Sequence, residues 1–181
     1  LMYGSEIIIK NKDQVEDDEG IPVTLNHALA LVHVKAKATT PGVVSIKSMT
    51  LKDTPANADL TVNYDTGSPS WIDNSPQQKL DLTIFKTTTT IDPALITDSF
   101  VQLGNEVLVI PGQSQTSFTI VYTLAGLATE LTAELSLNTA GLPIWEPGKK
   151  YVYNITFGVE EIKFVPVVEE WGTGVVAGGE N

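Results

Sequence analysis

The two histidines are among the few side chains of this 181-residue chain that could bind a metal ion. His27 and His33 lie six residues apart in one predicted strand, on either side of a change in its alternating pattern. Their rings are therefore expected to face opposite ways. A metal site needs ligands that converge on one point. We expect both rings to pack or to face solvent, and we predict no metal site and no cofactor.

An acidic segment near the start is the second candidate, because clustered carboxylates can bind Ca²⁺. Its five acidic residues are Asp13, Glu16, Asp17, Asp18 and Glu19. An EF-hand loop requires glycine at the sixth position after its first aspartate, and no glycine stands there. The segment is predicted to be a solvated loop, and weak calcium binding stays open.

Paired carboxylates could also serve a glycosidase. The four candidates are Glu160, Glu161, Glu169 and Glu170. Neighbouring residues of a strand point to opposite faces, so neither pair is arranged to act on one bond. The sequence also lacks a Gly-x-Ser-x-Gly elbow and a phosphate-binding glycine loop. We predict that the protein is not an enzyme and has no catalytic residue.

The composition excludes several partners. Asp and Glu number 22 against 11 lysines, arginine is absent, and the net charge is −11. Without a basic patch, binding to nucleic acid or an anionic membrane is not expected. Cysteine is absent, and no apolar run approaches the ~18 residues of a membrane span. The chain begins Leu1-Met2, so we expect a mature fragment or excised domain whose targeting signal lies upstream.

Short stretches of alternating apolar and polar residues recur along the chain, separated by turn residues. One run places Phe118, Ile120 and Tyr122 on one face, and the next places Leu131, Ala133 and Leu135 on one face. Half-buried strands of this kind form two packed antiparallel layers. The predicted fold is an all-β antiparallel sandwich of about 7–10 strands. Residues 1–171 are predicted to form one domain and residues 172–181 a flexible glycine-rich tail.

The segment from Pro22 to Ala38 alternates in two phases. Val23, Leu25 and Leu29 occupy odd positions, whereas Val32 and Val34 occupy even positions. A strand cannot exchange its faces without an irregularity, so a bulge or a sheet-switching bend is predicted near Leu31 and Val32.

The last third of the chain carries the clearest hairpin. After the Pro147-Gly148 turn, apolar residues alternate to Phe157, and a second strand runs from Ile162 to Val168. Pro166 cannot donate to a sheet ladder and indicates an edge strand. The hairpin could pair with another chain or simply close its own sandwich. Its candidate pairing residues are Tyr151, Tyr153, Ile155, Phe157, Ile162, Phe164 and Val168.

The segment from Thr66 to Gln78 is the longest predicted turn-rich loop, and it is the candidate ligand loop. Trp71 lies there close to Asp73. A tryptophan beside polar groups could stack on a sugar ring, or it could pin the loop to the sandwich. Trp145 and Trp171 bracket the last hairpin and are expected to close the ends of the core.

Four segments resemble, in the same order, segments of the fimbrillin-like proteins, the type V pilins and relatives of Gram-negative anaerobes. They are the start LMYGS, Val23 to Ala38, Val107 to Leu124, and Pro147 to Trp171. The resemblance identifies the chain as the second of two β-sandwich domains with transthyretin-like or Greek-key connectivity.

The resemblance implies a structural domain of a fimbria or pilus on the cell surface, supporting cell adhesion. Its partners would be other pilin subunits, in a homo- or hetero-polymer formed by β-strand addition. Anchoring to the outer membrane would use a lipid signal upstream of this chain. Some relatives mature by cleavage after arginine, and no such site is present here. The alternative is a non-polymerising surface lipoprotein that recognises a glycan or host protein.

Overall fold

The computed structural model describes residues 1–4, 23–40, 44–74, 78–87, 94–95, 98–112, 116–137, 142–158, 162–172 and 174–176. These residues form fifteen strands and no helix, and so contain no helix able to cross a membrane. The strands are β1 (Met2–Gly4), β2 (Val23–His27), β3 (Ala30–Ala38), β4 (Val44–Pro55), β5 (Ala58–Asn63), β6 (Ser68–Asp73), β7 (Lys79–Lys86), β8 (Ala94–Leu95), β9 (Val101–Gln102), β10 (Val107–Val109), β11 (Ser117–Leu124), β12 (Leu131–Ser136), β13 (Lys149–Phe157), β14 (Ile162–Glu170) and β15 (Gly174–Val176).

Two five-stranded sheets make up the body of the protein. Sheet I has the order β10-β3-β13-β14, with β9 also paired to β3. Sheet II has the order β12-β11-β4-β7, with β8 also paired to β4. A small sheet, β1-β2-β15, and the hairpin β5-β6 complete the described strands. The predicted all-β sandwich is confirmed, and the two main sheets together hold ten strands, within the expected range.

The hydrophobic core lies between sheet I and sheet II because each sheet turns alternate side chains inward. Val34 and Tyr153 of sheet I, like Ile46 and Phe118 of sheet II, are at most 1% exposed. The Phe118 and Tyr153 rings meet edge to face with centroids 5.1 Å apart. These contacts join the two sheets into one packed unit.

The chain changes sheets between β2 and β3, at Ala28 and Leu29. This is the predicted sheet switch, and it lies a few residues before the expected position. The reason is that both faces of β3 are buried where it begins. Leu31 and His33 are 8% and 6% exposed although their neighbour Val32 points into the core. Because Leu31 is apolar although it faces away from the core, the alternating pattern placed the bend too far along the chain.

Strands β3 and β13 pair in parallel, whereas the other described pairs are antiparallel. Parallel neighbours need a long crossover connection. Here every strand of sheet II lies between β3 and β13 in sequence, so the crossover builds the opposite layer. The parallel pair sets β13 in the interior of sheet I and leaves β14 at its edge.

Residues 103–105 bridge the two sheets on one flank. The Leu103 amide donates to the Val34 carbonyl at 2.9 Å, and the Asn105 amide donates to the Ile84 carbonyl at 3.0 Å. Gly104 between them has φ +67°, and a Cβ there would lie 2.0 Å from the Ile84 oxygen. Only glycine fits this position. The backbone of residues 103–105 therefore connects the two sheets on this flank.

Two segments were predicted to be surface loops: the acidic segment near the start and the segment from Thr66 to Gln78. The acidic segment at residues 13–20 lies outside the described residues. The loop predicted from Thr66 to Gln78 was wrong, because Ser68–Asp73 forms β6, paired to β5. The strand was not recognised because the segment is rich in turn-forming residues and because its apolar Ile72 is exposed, so that it shows no clear alternation of buried and polar positions.

Candidate functional site

The hairpin of β13 and β14 holds the candidate pairing residues. Tyr151, Tyr153, Ile155 and Phe157 are all at most 1% exposed and line the core. Their strand β13 lies between β3 and β14 and so is an interior strand. These four side chains belong to the core, and β14 pairs with the backbone of the strand that carries them.

Strand β14 is the edge of sheet I. It pairs through nine residues with β13 and with no other described strand. Ile162 and Phe164 are partly buried against the core, opposite Phe157 and Ile155. Val168, at the other end, is 45% exposed. The structure thus brings all seven candidate residues into one hairpin, with a buried strand and a half-exposed strand.

Two hydrogen bonds show which residues of β14 turn their backbone N–H and C=O groups towards β13. The Trp171 amide donates to Gly148 at 3.0 Å, and the Phe157 carbonyl accepts from Thr39, on the side of β3, at 2.8 Å. Because groups alternate along a strand, the odd-numbered residues of β14 bond to β13. Even-numbered residues, including Pro166, direct their backbone groups to the open edge.

Two tyrosines and Trp145 fix the start of the hairpin. The Tyr151 hydroxyl donates to the Ile144 carbonyl and accepts from the Glu146 amide, both at 2.7 Å. Trp145 donates from Nε1 to the Tyr153 hydroxyl at 2.9 Å and is buried, as predicted for a core plug. Burial raises the pKa of Tyr151 and raises the pKa of Tyr153 to about 12. Both phenols are neutral at physiological pH and act as structural groups.

The end of β14 is held by ring stacking and an ion pair. His27 and Trp171 stack with centroids 3.6 Å apart and planes within 4°. Lys149 pairs with Glu170 beside them. The stack joins β2 of the small sheet to the end of β14. Sequence reasoning missed it because the two rings are far apart in the chain and no spacing rule links them.

The histidines do not come together. His27 stacks on Trp171, whereas His33 Nδ1 lies 2.7 Å from Glu106 Oε1, which also accepts from Lys150 at 2.9 Å. The hydrogen bond from Lys150, and then that from His33, lower the pKa of Glu106. Within the described ranges, no three acidic, histidine or cysteine side chains form a metal-binding group. Glu106 was not among the predicted residues.

Trp71 and Asp73 lie on β6 and both have partners within the protein. Trp71 Nε1 donates to the Ala28 carbonyl at 2.8 Å. Asp73 Oδ2 lies 3.2 Å from Lys79 Nζ. The tryptophan therefore ties the β5-β6 hairpin to the point where the chain changes sheets. Glu169 and Glu170, the described pair of neighbouring carboxylates, are both exposed on β14, where successive side chains face opposite ways.

These features define a β-sandwich whose carboxy-terminal hairpin ends in an edge strand. A sequence profile of fimbrillin-like proteins matches residues 1–171, and the chain belongs to that family, as the sequence predicted. No curated protein matches the chain significantly.

Solved structures show the same fold. One is a fimbrial protein from Bacteroides vulgatus, with a TM-score of 0.59 and 17% identity, covering 83% of this chain and 56% of that one. Another is a protein from Parabacteroides distasonis proposed to act in cell adhesion, with a TM-score of 0.50 and 15% identity, covering 82% and 53%. The chain thus spans about half the length of these two structures.

Proposed function

We propose that this chain is a structural domain of a fimbrial subunit on the bacterial surface, which assembles by β-strand addition and supports cell adhesion. Membership of the fimbrillin-like family supports a fimbrial subunit that associates with other pilin subunits. The fimbrial protein and the adhesion-related protein that share its fold agree with this role. The chain would be the second domain, with a lipid anchor on a segment upstream.

The position of β14 is the observation that carries the proposal. It is an edge strand with one neighbour among the described strands, and its Phe164 and Ile162 lie opposite Ile155 and Phe157 of β13. If β14 withdrew, an apolar groove lined by these buried residues would open. The same strand from a neighbouring subunit could fill that groove with identical contacts, which joins two subunits without a new interface.

The energies favour a durable contact once it forms. Burial of an apolar side chain contributes at most about 1.5–3 kcal/mol, and each backbone hydrogen bond contributes about 1 kcal/mol net. Nine paired residues supply several of each. Withdrawal of β14 must first break the same contacts, so exchange should be slow and the product stable.

The alternative, a glycan-binding module centred on Trp71, has less support. The Trp71 indole donates its only hydrogen bond to Ala28, which is the contact expected of a structural pin. A Trp71→Ala variant that stays folded but loses binding on a glycan array would favour the alternative.

Assembly of the purified chain tests the proposal. We expect ladders on unboiled SDS gels and fibres in electron micrographs. Phe164→Ala removes an inward contact of β14 and should reduce the ladder, whereas Val165→Ala, at a 60% exposed outward position, should leave it intact. A chain that stays monomeric at every concentration would contradict strand addition.

A further inference from the structure

Several strands have only one neighbouring strand among the described residues. Two of them are β14 in sheet I and β12 in sheet II. The opposite flank is bridged by the hydrogen bonds of Leu103 and Asn105. Exposed edges can pair with another chain unless a feature of their sequence prevents it. The two edges differ in that respect.

The β14 edge is interrupted at its centre. Its outward backbone groups belong to the even-numbered residues, and Pro166 among them has no N–H to offer. A strand added there would lose a central hydrogen bond and meet the proline ring. Pro166 therefore protects this edge while β14 stays in its own domain.

The β12 edge has no such interruption. The Leu137 amide donates to Thr116 at 2.9 Å and continues the regular pairing of β11 with β12. By alternation, Leu135, Ala133 and Leu131 bond to β11, and Thr132 and Glu134 direct their backbone groups outward. Leu131, Ala133 and Leu135 are also only partly buried. This edge offers hydrogen bonds and uncovered apolar surface together.

We propose that β12 pairs antiparallel with β12 of a second copy, about a two-fold axis at Ala133. A six-residue strand has two symmetric registers of greatest overlap, centred on Ala133 or on Glu134. Centring on Glu134 sets two like charges directly opposite, which is unfavourable. Centring on Ala133 sets Thr132 opposite Glu134 and Leu131 opposite Leu135 of the second copy. The register centred on Ala133 thus avoids facing like charges and also pairs leucine with leucine.

This contact goes beyond assembly through β14 and is independent of it. A two-fold contact uses the same patch on both copies, so it closes as a dimer and does not propagate a fibre. It merges two copies of sheet II, four strands each along the path β12-β11-β4-β7, into one continuous sheet. In a fimbria it would join subunits side by side. It would also dissolve in SDS, unlike an exchanged strand.

Disulfide trapping tests the register, because the chain contains no cysteine. In the proposed dimer Ala133 faces itself in a non-hydrogen-bonded pair, where Cα atoms are about 4.5 Å apart and a disulfide can form. Under mild oxidation, Ala133→Cys should form a covalent dimer on non-reducing gels. Val165→Cys, on the exposed face of β14, should form little covalent dimer. Equal yields, or no dimer from Ala133→Cys, would overturn the proposal.

Proline variants test the edge by sedimentation. Glu134→Pro removes an outward N–H without breaking a β11 hydrogen bond, and each dimer would lose two bonds. We expect its dimer dissociation constant to rise at least about tenfold. Val168→Pro makes the equivalent change on β14 and should leave the constant unchanged. Unchanged dimerisation of Glu134→Pro, or a wild-type chain that forms SDS-resistant ladders but no SDS-sensitive dimer, would refute the β12 contact and leave strand addition through β14 unaffected.

Discussion

Tyr153 carries a polar hydroxyl into an apolar core, and its surroundings account for that cost. The ring packs against Phe118 and Phe164, and the hydroxyl accepts the indole hydrogen of Trp145. A buried polar group without a partner would cost about 1–3 kcal/mol. The alternating pattern placed Tyr153 on the same face of the strand as Ile155 and Phe157. It could not identify Trp145 as its partner, because that bond depends on how the chain enters β13.

The pKa of Tyr153 makes stability depend on pH. Its pKa is about 12 in the folded protein against 10.0 in the unfolded chain, because burial disfavours the phenolate. The folded state thus holds the proton more tightly, so stability is complete below pH 10 and falls as the pH rises towards 12. The shift corresponds to about 3 kcal/mol in the free energy of unfolding.

Urea unfolding between pH 8 and pH 12 measures this fall. Tyr153→Phe cannot ionise and should show a smaller decrease than the wild type over the same range, although its stability at pH 8 is lower because the Trp145 donor loses its acceptor. Parallel curves for the two proteins would show that Tyr153 does not titrate in this way.

Gly104 belongs to the segment that hydrogen-bonds to both sheets, and its backbone lies close to the Ile84 carbonyl. Gly104→Ala forces a Cβ against the Ile84 carbonyl in a left-handed backbone. We expect a loss of about 3 kcal/mol in the free energy of unfolding. Gly126 also has positive φ, but no atom lies within 4 Å of an added Cβ, so Gly126→Ala should cost only about 1 kcal/mol. Equal losses in denaturant unfolding would rule out the close approach.

Strands with a clear two-residue period could be predicted from sequence, and those without it could not. Phe118 and Ile120 mark β11 because one face is buried and the other polar. Strand β6 escaped prediction because it lies on the surface, where Ile72 is exposed and polar residues fall on both faces. The stack of His27 on Trp171 was equally hidden, since it depends on tertiary contact alone.

The chain as a whole is organised around its last hairpin. The crossover through sheet II lets β3 and β13 pair in parallel, which buries β13 and leaves β14 to be the edge. Topology of this kind follows from long-range packing, so the sequence predicted the hairpin and, through Pro166, its edge strand, but not the parallel pairing that buries β13. In the proposed strand addition, β14 leaves its own domain, whereas the proposed β12 contact would leave each domain intact.

A reversible lock on β14 tests strand addition most directly. Lys149 and Glu170 face each other in the β13-β14 pairing, at a position whose backbone groups do not bond to each other. The double variant Lys149→Cys/Glu170→Cys should form an internal disulfide that ties β14 to its own domain. We predict that the oxidised protein forms no SDS-resistant ladder and that adding a reductant restores it. Assembly of the oxidised protein at the same rate as the reduced protein would contradict the account.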